Sequence, residues 1–156
     1  MTSARSPAPP PLPPLPTRPA GLRTGIDLVA VPRIAESLER LGERFVQRLF
    51  TAQEAADCRA VAGHAARCER LAARFAAKEA VIKAMGWAEA GVSWRDIEVV
   101  RAPDGRQALA LHGRAAALAA GAGVRHWALS LGHTAGQACA LVIASGSSPD
   151  TPARLA

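Results

Sequence analysis

Arg74-Phe75-Ala76-Ala77-Lys78-Glu79-Ala80-Val81-Ile82-Lys83 holds both lysines of a chain with nineteen Lys and Arg; every other basic residue is arginine. The run sits in a helical pattern from about Ala65 to Met85, closed by Gly86. Leu71, Phe75, Ile82 and Met85 fall on one side of it and are expected to face a core. Glu79 and Lys83 share a face at i and i+4, with Lys78 adjacent. One reading is a surface ion pair. The other is a carboxylate that holds a divalent cation beside an ammonium that faces phosphate. An ammonium is a compact charge whose pKa shifts with its surroundings, whereas a guanidinium stays protonated, so lysine among arginines marks a special demand.

Upstream, Thr24-Gly25-Ile26-Asp27-Leu28-Val29 reads as a short apolar strand with one acid inside it. Such an acid is costly to bury unless paired or metal-bound; Asp27 is either a helix-capping residue or the second carboxylate of a cation site. Pro32 suits the first turn of a helix, and Ile34, Leu38, Leu41 and Phe45 follow at helical spacing. If residues 33–48 form one helix, Arg33, Arg40, Arg44 and Arg48 project within about 80° of one another, and Glu36, Glu39 and Glu43 face away. That stripe is either a solvated face or a docking surface for an acidic partner. Gly42 interrupts the pattern and can disturb the phase. Thr51-Ala52-Gln53-Glu54 reads as a capping box opening a second helix.

Downstream, the period changes. Ile97–Val100 and Gln107–His112 flank the turn signal Pro103-Asp104-Gly105-Arg106. Arg114–Ala120 is an alanine-rich helix, and 127–131 with 138–143 read as a closing strand pair around His133-Thr134-Ala135-Gly136. Ser130 and His133 leave one short segment and are candidates to touch a ligand phosphate; a lone histidine there can equally be structural. The order predicts an α+β fold, an antiparallel sheet packed with a long helix. Residues 1–22 hold eight of the twelve prolines and read as a disordered tail, 23–145 as the folded domain, and 146–156 as a flexible tail. Pro13-Pro14-Leu15-Pro16-Thr17-Arg18 also fits a PxxPx(+) ligand, a match that so proline-rich a tract makes cheap.

Composition narrows the classes. Much of the net charge of +6 comes from the tails, which leaves the core mildly basic, and aromatics make up only 4%. Nucleic acid is therefore not expected as a partner. No apolar run reaches membrane-span length and no secretory signal is visible, so a cytoplasmic protein is expected. Cys58, Cys68 and Cys139 lack CxxC spacing and read as free thiols, and His64, His112 and His126 show no ligand spacing with a cysteine or acid.

The strand Gly25-Ile26-Asp27, the motif Phe75 to Ala84 and the late Ser130-x-x-His133 occur in an order that resembles the holo-[acyl-carrier-protein] synthases, the small class of 4′-phosphopantetheinyl transferases. The likeness covers roughly residues 24–144 and includes Trp94-Arg95-Asp96-Ile97-Glu98-Val99 and the Asp104-Gly105 turn. It implies transfer of the phosphopantetheine arm of coenzyme A to a serine of apo acyl carrier protein. Asp27 and Glu79 would bind Mg2+, and Lys83 would stand near the phosphates as the third catalytic residue. Lys78, Lys83, Ser130 and His133 would help hold coenzyme A, the co-substrate, and Arg33, Arg40, Arg44 and Arg48 would receive the acidic carrier. The serine proton would pass to Glu79 or to a water on the metal. A homotrimer with active sites between subunits is implied as well.

Three positions depart from the family pattern: Gly132 stands for a serine or threonine, Ala30 for an acid, and Gln107 for a proline. None removes an implied metal ligand. The competing readings are an inactive relative that only docks acidic carrier domains and a small RNA-binding domain.

Overall fold

The computed structural model describes residues 21–146 apart from residue 135; the two expected tails lie almost wholly outside the described residues. Three strands, β1 (Leu22–Ala30), β4 (Val124–Thr134) and β5 (Gln137–Gly146), form an antiparallel sheet in the order β1-β5-β4. A separate hairpin pairs β2 (Ile97–Arg101) with β3 (Gln107–Leu111). The helices are α1 (Val31–Leu41), α2 (Glu43–Leu49), α3 (Ala52–Arg59), α4 (His64–Met85) and α5 (Gly113–Gly121). The expected α+β class, capping box and strand order are all present.

Alternation along the strands decides what the sheet covers. Gly25 and Val29 of β1 and Ala138, Ala140, Val142 and Ala144 of β5 are buried, on the face that meets α4. The large residues Leu71 and Met85 of α4 are buried as expected, but Phe75 and Ile82 are only half-buried. Most of the buried surface of α4 is alanine: Ala72, Ala73, Ala76, Ala77, Ala80 and Ala84. Small side chains let the helix backbone approach the sheet, and at Gly25 the approach leaves no room for any side chain. A Cβ there would lie 2.0 Å from the Ala80 carbonyl oxygen and 2.8 Å from the Ala84 nitrogen. Both contacts are backbone, so no side chain can turn aside.

The other flank of α4 is fixed by charge. Lys78 and Glu54 are both fully buried and 2.8 Å apart. The Lys78 ammonium also donates to the carbonyls of Trp94 (3.0 Å) and Ile97, and the second Glu54 oxygen accepts the Val99 N–H at 3.0 Å. The Phe50 ring stands 5.5 Å from the ammonium. Burial lowers the Lys78 pKa, and the Glu54 charge and hydrogen bond oppose that shift. Thr51 and Glu54 complete the capping box of α3, so one glutamate closes a helix end and holds a lysine of the next helix.

The opposite face of the sheet is apolar and open. Leu22, Ile26, Leu28, Leu141 and Ile143 are exposed there, Leu28 by 64%. Among the described residues no helix is long and apolar enough to cross a membrane.

Gly25→Ala forces α4 off β1, and overpacking of this kind costs about 1–3 kcal/mol. A melting temperature lower by roughly 3–10 °C is expected in thermal denaturation. An unchanged melting temperature would contradict the close approach.

Candidate active site

Residues Phe75, Glu79 and Lys83, one helical turn apart, form the open stripe of α4. Asp27 lies two residues beyond Gly25 on the same face of β1, so the contact that presses α4 on the strand also brings Asp27 level with that stripe. These residues line a cleft of about 360 Å³ together with Val29, Arg33, Ile34, Ser37 and Phe45. The Lys83 ammonium is 2.6 Å from the Asp27 carboxylate; the lysine is 54% exposed and the aspartate 13%. Burial and the neighbouring Asp27 charge raise the Glu79 pKa, against the pull of Lys83. The hydrogen bond to Asp27 raises the Lys83 pKa, with lesser support from both carboxylate charges.

A carboxylate whose charge is disfavoured by a neighbouring carboxylate, with a half-exposed ammonium beside them, suits a divalent cation. Among the described residues no group of three or more His, Cys, Asp or Glu gathers as a metal cage. A pair of carboxylates is the donor set of a cation that completes its shell with water and ligand oxygens, as Mg2+ does.

The basic stripe is corrected in part. Gly42, at φ 58° and ψ −143°, ends α1 and starts α2, so residues 33–48 are two helices with no common phase. Arg33, Arg40, Arg44 and Arg48 are nonetheless all exposed, and Arg33 borders the cleft. Glu43, expected to face away from them, bonds Arg67 at 2.6 Å and Arg59 at 3.1 Å.

Three further candidates lie away from this cleft. Lys78 cannot touch coenzyme A from this position, because its side chain has no exposed surface and its ammonium is bonded to Glu54, Trp94 and Ile97. A helix turns about 100° per residue, which sends neighbouring Lys78 and Glu79 to different surroundings. Ser130 and His133 are three apart on β4 and point to opposite faces: Ser130 pairs across from Leu141 on the exposed face, His133 across from buried Ala138. Neither lines the cleft that holds Asp27 and Glu79.

His133 instead borders a second cavity, of about 350 Å³, with Glu69, Arg70, Arg74, Arg101 and Gln107. The Arg74 Nε and the Gln107 carboxamide oxygen are buried there without a protein partner. Cationic groups and unsatisfied polar atoms around one cavity suit an anionic, hydrogen-bonding ligand. Gly132 is crowded by Cys139: a Cβ on it would lie 3.3 Å from the Cys139 sulfur, a contact that one of the two would have to relieve.

The sequence reading missed the cleft's apolar wall of Ile34, Phe45 and Phe75, the arginines around His133, and the Glu54 partner of Lys78. The Thr51–Glu54 capping box was a signal for Glu54, but nothing local showed that the oxygen that closes the box also takes the Lys78 ammonium. His64 and His112 also have partners not foreseen: His64 is 3.4 Å from Cys68, and His112 is 2.7 Å from Glu98. Cys58, Cys68 and Cys139 are free thiols, and burial raises the pKa of the first two.

The comparisons with known proteins follow this geometry. The family model described as the 4'-phosphopantetheinyl transferase superfamily matches residues 23–142. A holo-[acyl-carrier-protein] synthase of Koribacter versatilis is 50% identical over 123 residues, covering 78% of this chain and 96% of that protein. One from Desulforudis audaxviator is 47% identical, covering 81% and 95%. Among solved structures, the Chronobacterium ammoniagenes ACPS–CoA complex superposes with a TM-score of 0.69 at 36% identity, covering 81% of this chain and 98% of that one. A Bacillus anthracis holo-(acyl-carrier-protein) synthase in complex with CoA (3',5'-ADP) gives 0.66 at 29% identity, covering 83% and 100%. Because the family match spans most of the folded residues and includes Asp27, Glu79 and Lys83, the chain belongs to the 4'-phosphopantetheinyl transferase superfamily.

Proposed function

We propose that the chain transfers the 4′-phosphopantetheine arm of coenzyme A to a serine of apo acyl carrier protein and leaves adenosine 3′,5′-bisphosphate. The observation that carries this is the cleft in which Asp27, Glu79 and Lys83 meet, within a chain whose relatives are holo-[acyl-carrier-protein] synthases. Related structures hold coenzyme A. Asp27 and Glu79 would hold Mg2+, which when bound neutralises pyrophosphate charge. The serine oxygen forms a bond to the phosphorus that carries the pantetheine arm, and the bond to the bisphosphate breaks. Lys83 is exposed enough to leave Asp27 for the phosphates, where it offers charge and a proton to the leaving group. Glu79 borders the place where the serine loses its proton. A relative that only docked carriers would have no use for these three residues together.

The cleft and the cavity at His133 lie apart in one chain, and the apolar outer sheet face is open. Both features support a homotrimer in which one subunit's cleft faces another's His133 cavity or Ser130 surface, so that coenzyme A is held between subunits. The exposed Arg33, which borders the cleft, with Arg40, Arg44 and Arg48 exposed on the same two helices, is the docking surface for the acidic carrier. We place the transferase domain at residues 23–145 and the protein in the cytoplasm.

Incubation with apo carrier, coenzyme A and Mg2+ should add the phosphopantetheine mass to the carrier, read by mass spectrometry; no gain with any carrier would refute the transfer. Glu79→Gln should lower turnover about 100-fold or more while carrier binding by titration persists. In Lys83→Arg the charge stays but the readily released proton does not, and turnover should fall by about 100-fold. Near-normal turnover would mean that charge alone is used. Arg33→Glu should raise the KM for the carrier and leave that for coenzyme A unchanged; equal effects on both would remove Arg33 from the docking surface.

A further inference from the structure

Lys78 immediately precedes Glu79, yet it serves the interior. Its three acceptors come from two pieces of chain: Glu54 in α3, and the carbonyls of Trp94, in a short 3-10 turn, and of Ile97, at the start of the β2 that directly follows it. Two routes lead from this ammonium to the cleft. One is the α4 backbone, since holding the Lys78 side chain fixes how far the helix is rotated about its axis and so where Glu79 points. The other runs through Trp94, whose ring packs on Phe75 at 5.2 Å between centroids, and Phe75 lines the cleft one turn before Glu79. On the opposite flank, the Gly25–Ala80 contact sets the distance of α4 from β1 but leaves rotation about the helix axis to other contacts.

We propose that Lys78, with Glu54, is a positioning residue: the pair sets the rotation of α4 and the stand of Phe75, and thereby aims Glu79 at Asp27. A buried ion pair is weak evidence of stability, because apolar residues of similar volume often fill such a site equally well. A pair with directional bonds to three elements does what apolar packing does not: it fixes an angle. Arginine is a poor substitute, because its planar fork cannot send bonds to three acceptors around one nitrogen. The inference rests on the transfer reading above, and an inactive wild-type protein would sink that reading before this one was tested.

The test removes both charges together, so that neither is left orphaned. Glu54→Gln/Lys78→Met keeps an acceptor for the Val99 N–H and similar volume. It should unfold cooperatively, with kcat lowered about 10- to 100-fold and both KM values within about twofold of wild type. Its near-UV circular dichroism should change as the Phe75–Trp94 packing shifts. Val124→Ala, a core truncation away from the cleft, is the control for stability loss alone and should keep kcat below its melting temperature. Lys78→Arg keeps the charge and should show the same kcat loss as the double variant; it decides the matter if the double variant does not fold. Wild-type kcat in a folded variant, a loss confined to KM, or an equal kcat loss in Val124→Ala would each overturn the proposal.

Discussion

Helix and sheet meet backbone to backbone where the Ala80 carbonyl of α4 faces the hydrogen side of Gly25 in β1. No side chain of any size fits between those backbones. The alanines of α4 extend the same condition along the helix, and the alanines of β5 meet them from the sheet. The cleft depends on this. Asp27 reaches the level of Glu79 and Lys83 because it is two residues from the contact on the same face of the strand. A larger residue at 25 would move the aspartate away from its partners before any catalytic group was altered.

Charge is used in three distinct ways around α4. Buried Lys78 and Glu54 form a pair whose directions matter more than its net stabilisation. Half-exposed Lys83 holds Asp27 but remains free to turn toward a ligand, and solvent moderates the pair's strength. The arginines of α1 and α2 stay on the surface, where their charge acts over longer distances through solvent. The two lysines therefore occupy two different settings: one buried among three converging acceptors, the other half-exposed beside Asp27 at the cleft.

Much of this was legible before any coordinate. The helix boundaries of α4, the capping box of α3 and the order of strands follow from local spacing, and local spacing survives folding when turns and caps agree with it. Asp27, Glu79 and Lys83, which the structure brings to one cleft, could be singled out because a carboxylate inside an apolar strand and a lysine in an arginine-rich chain are both exceptions. Helix amphipathicity misled at two points. Phe75 and Ile82 were expected in the core, but alanine packs closer; both are only half-buried at its edge, and Phe75 lines the cleft. Gly42 broke the arginine helix by adopting a positive φ that no periodicity count registers.

By itself, the sequence determined which elements form and which residues are chemically unusual, since propensity, capping and composition act over a few neighbouring residues. The tertiary structure alone decided which of those residues meet. Lys78 and Glu79 are adjacent in the chain yet face different surroundings, because a helix turns about 100° per residue and only packing says what lies on each side. Ser130 and His133 share a strand and face opposite ways for the same kind of reason, a strand's period of two. The pairing of Lys78 with Glu54, twenty-four residues away, needed α3 and α4 to be set side by side, and no local pattern encodes that distance.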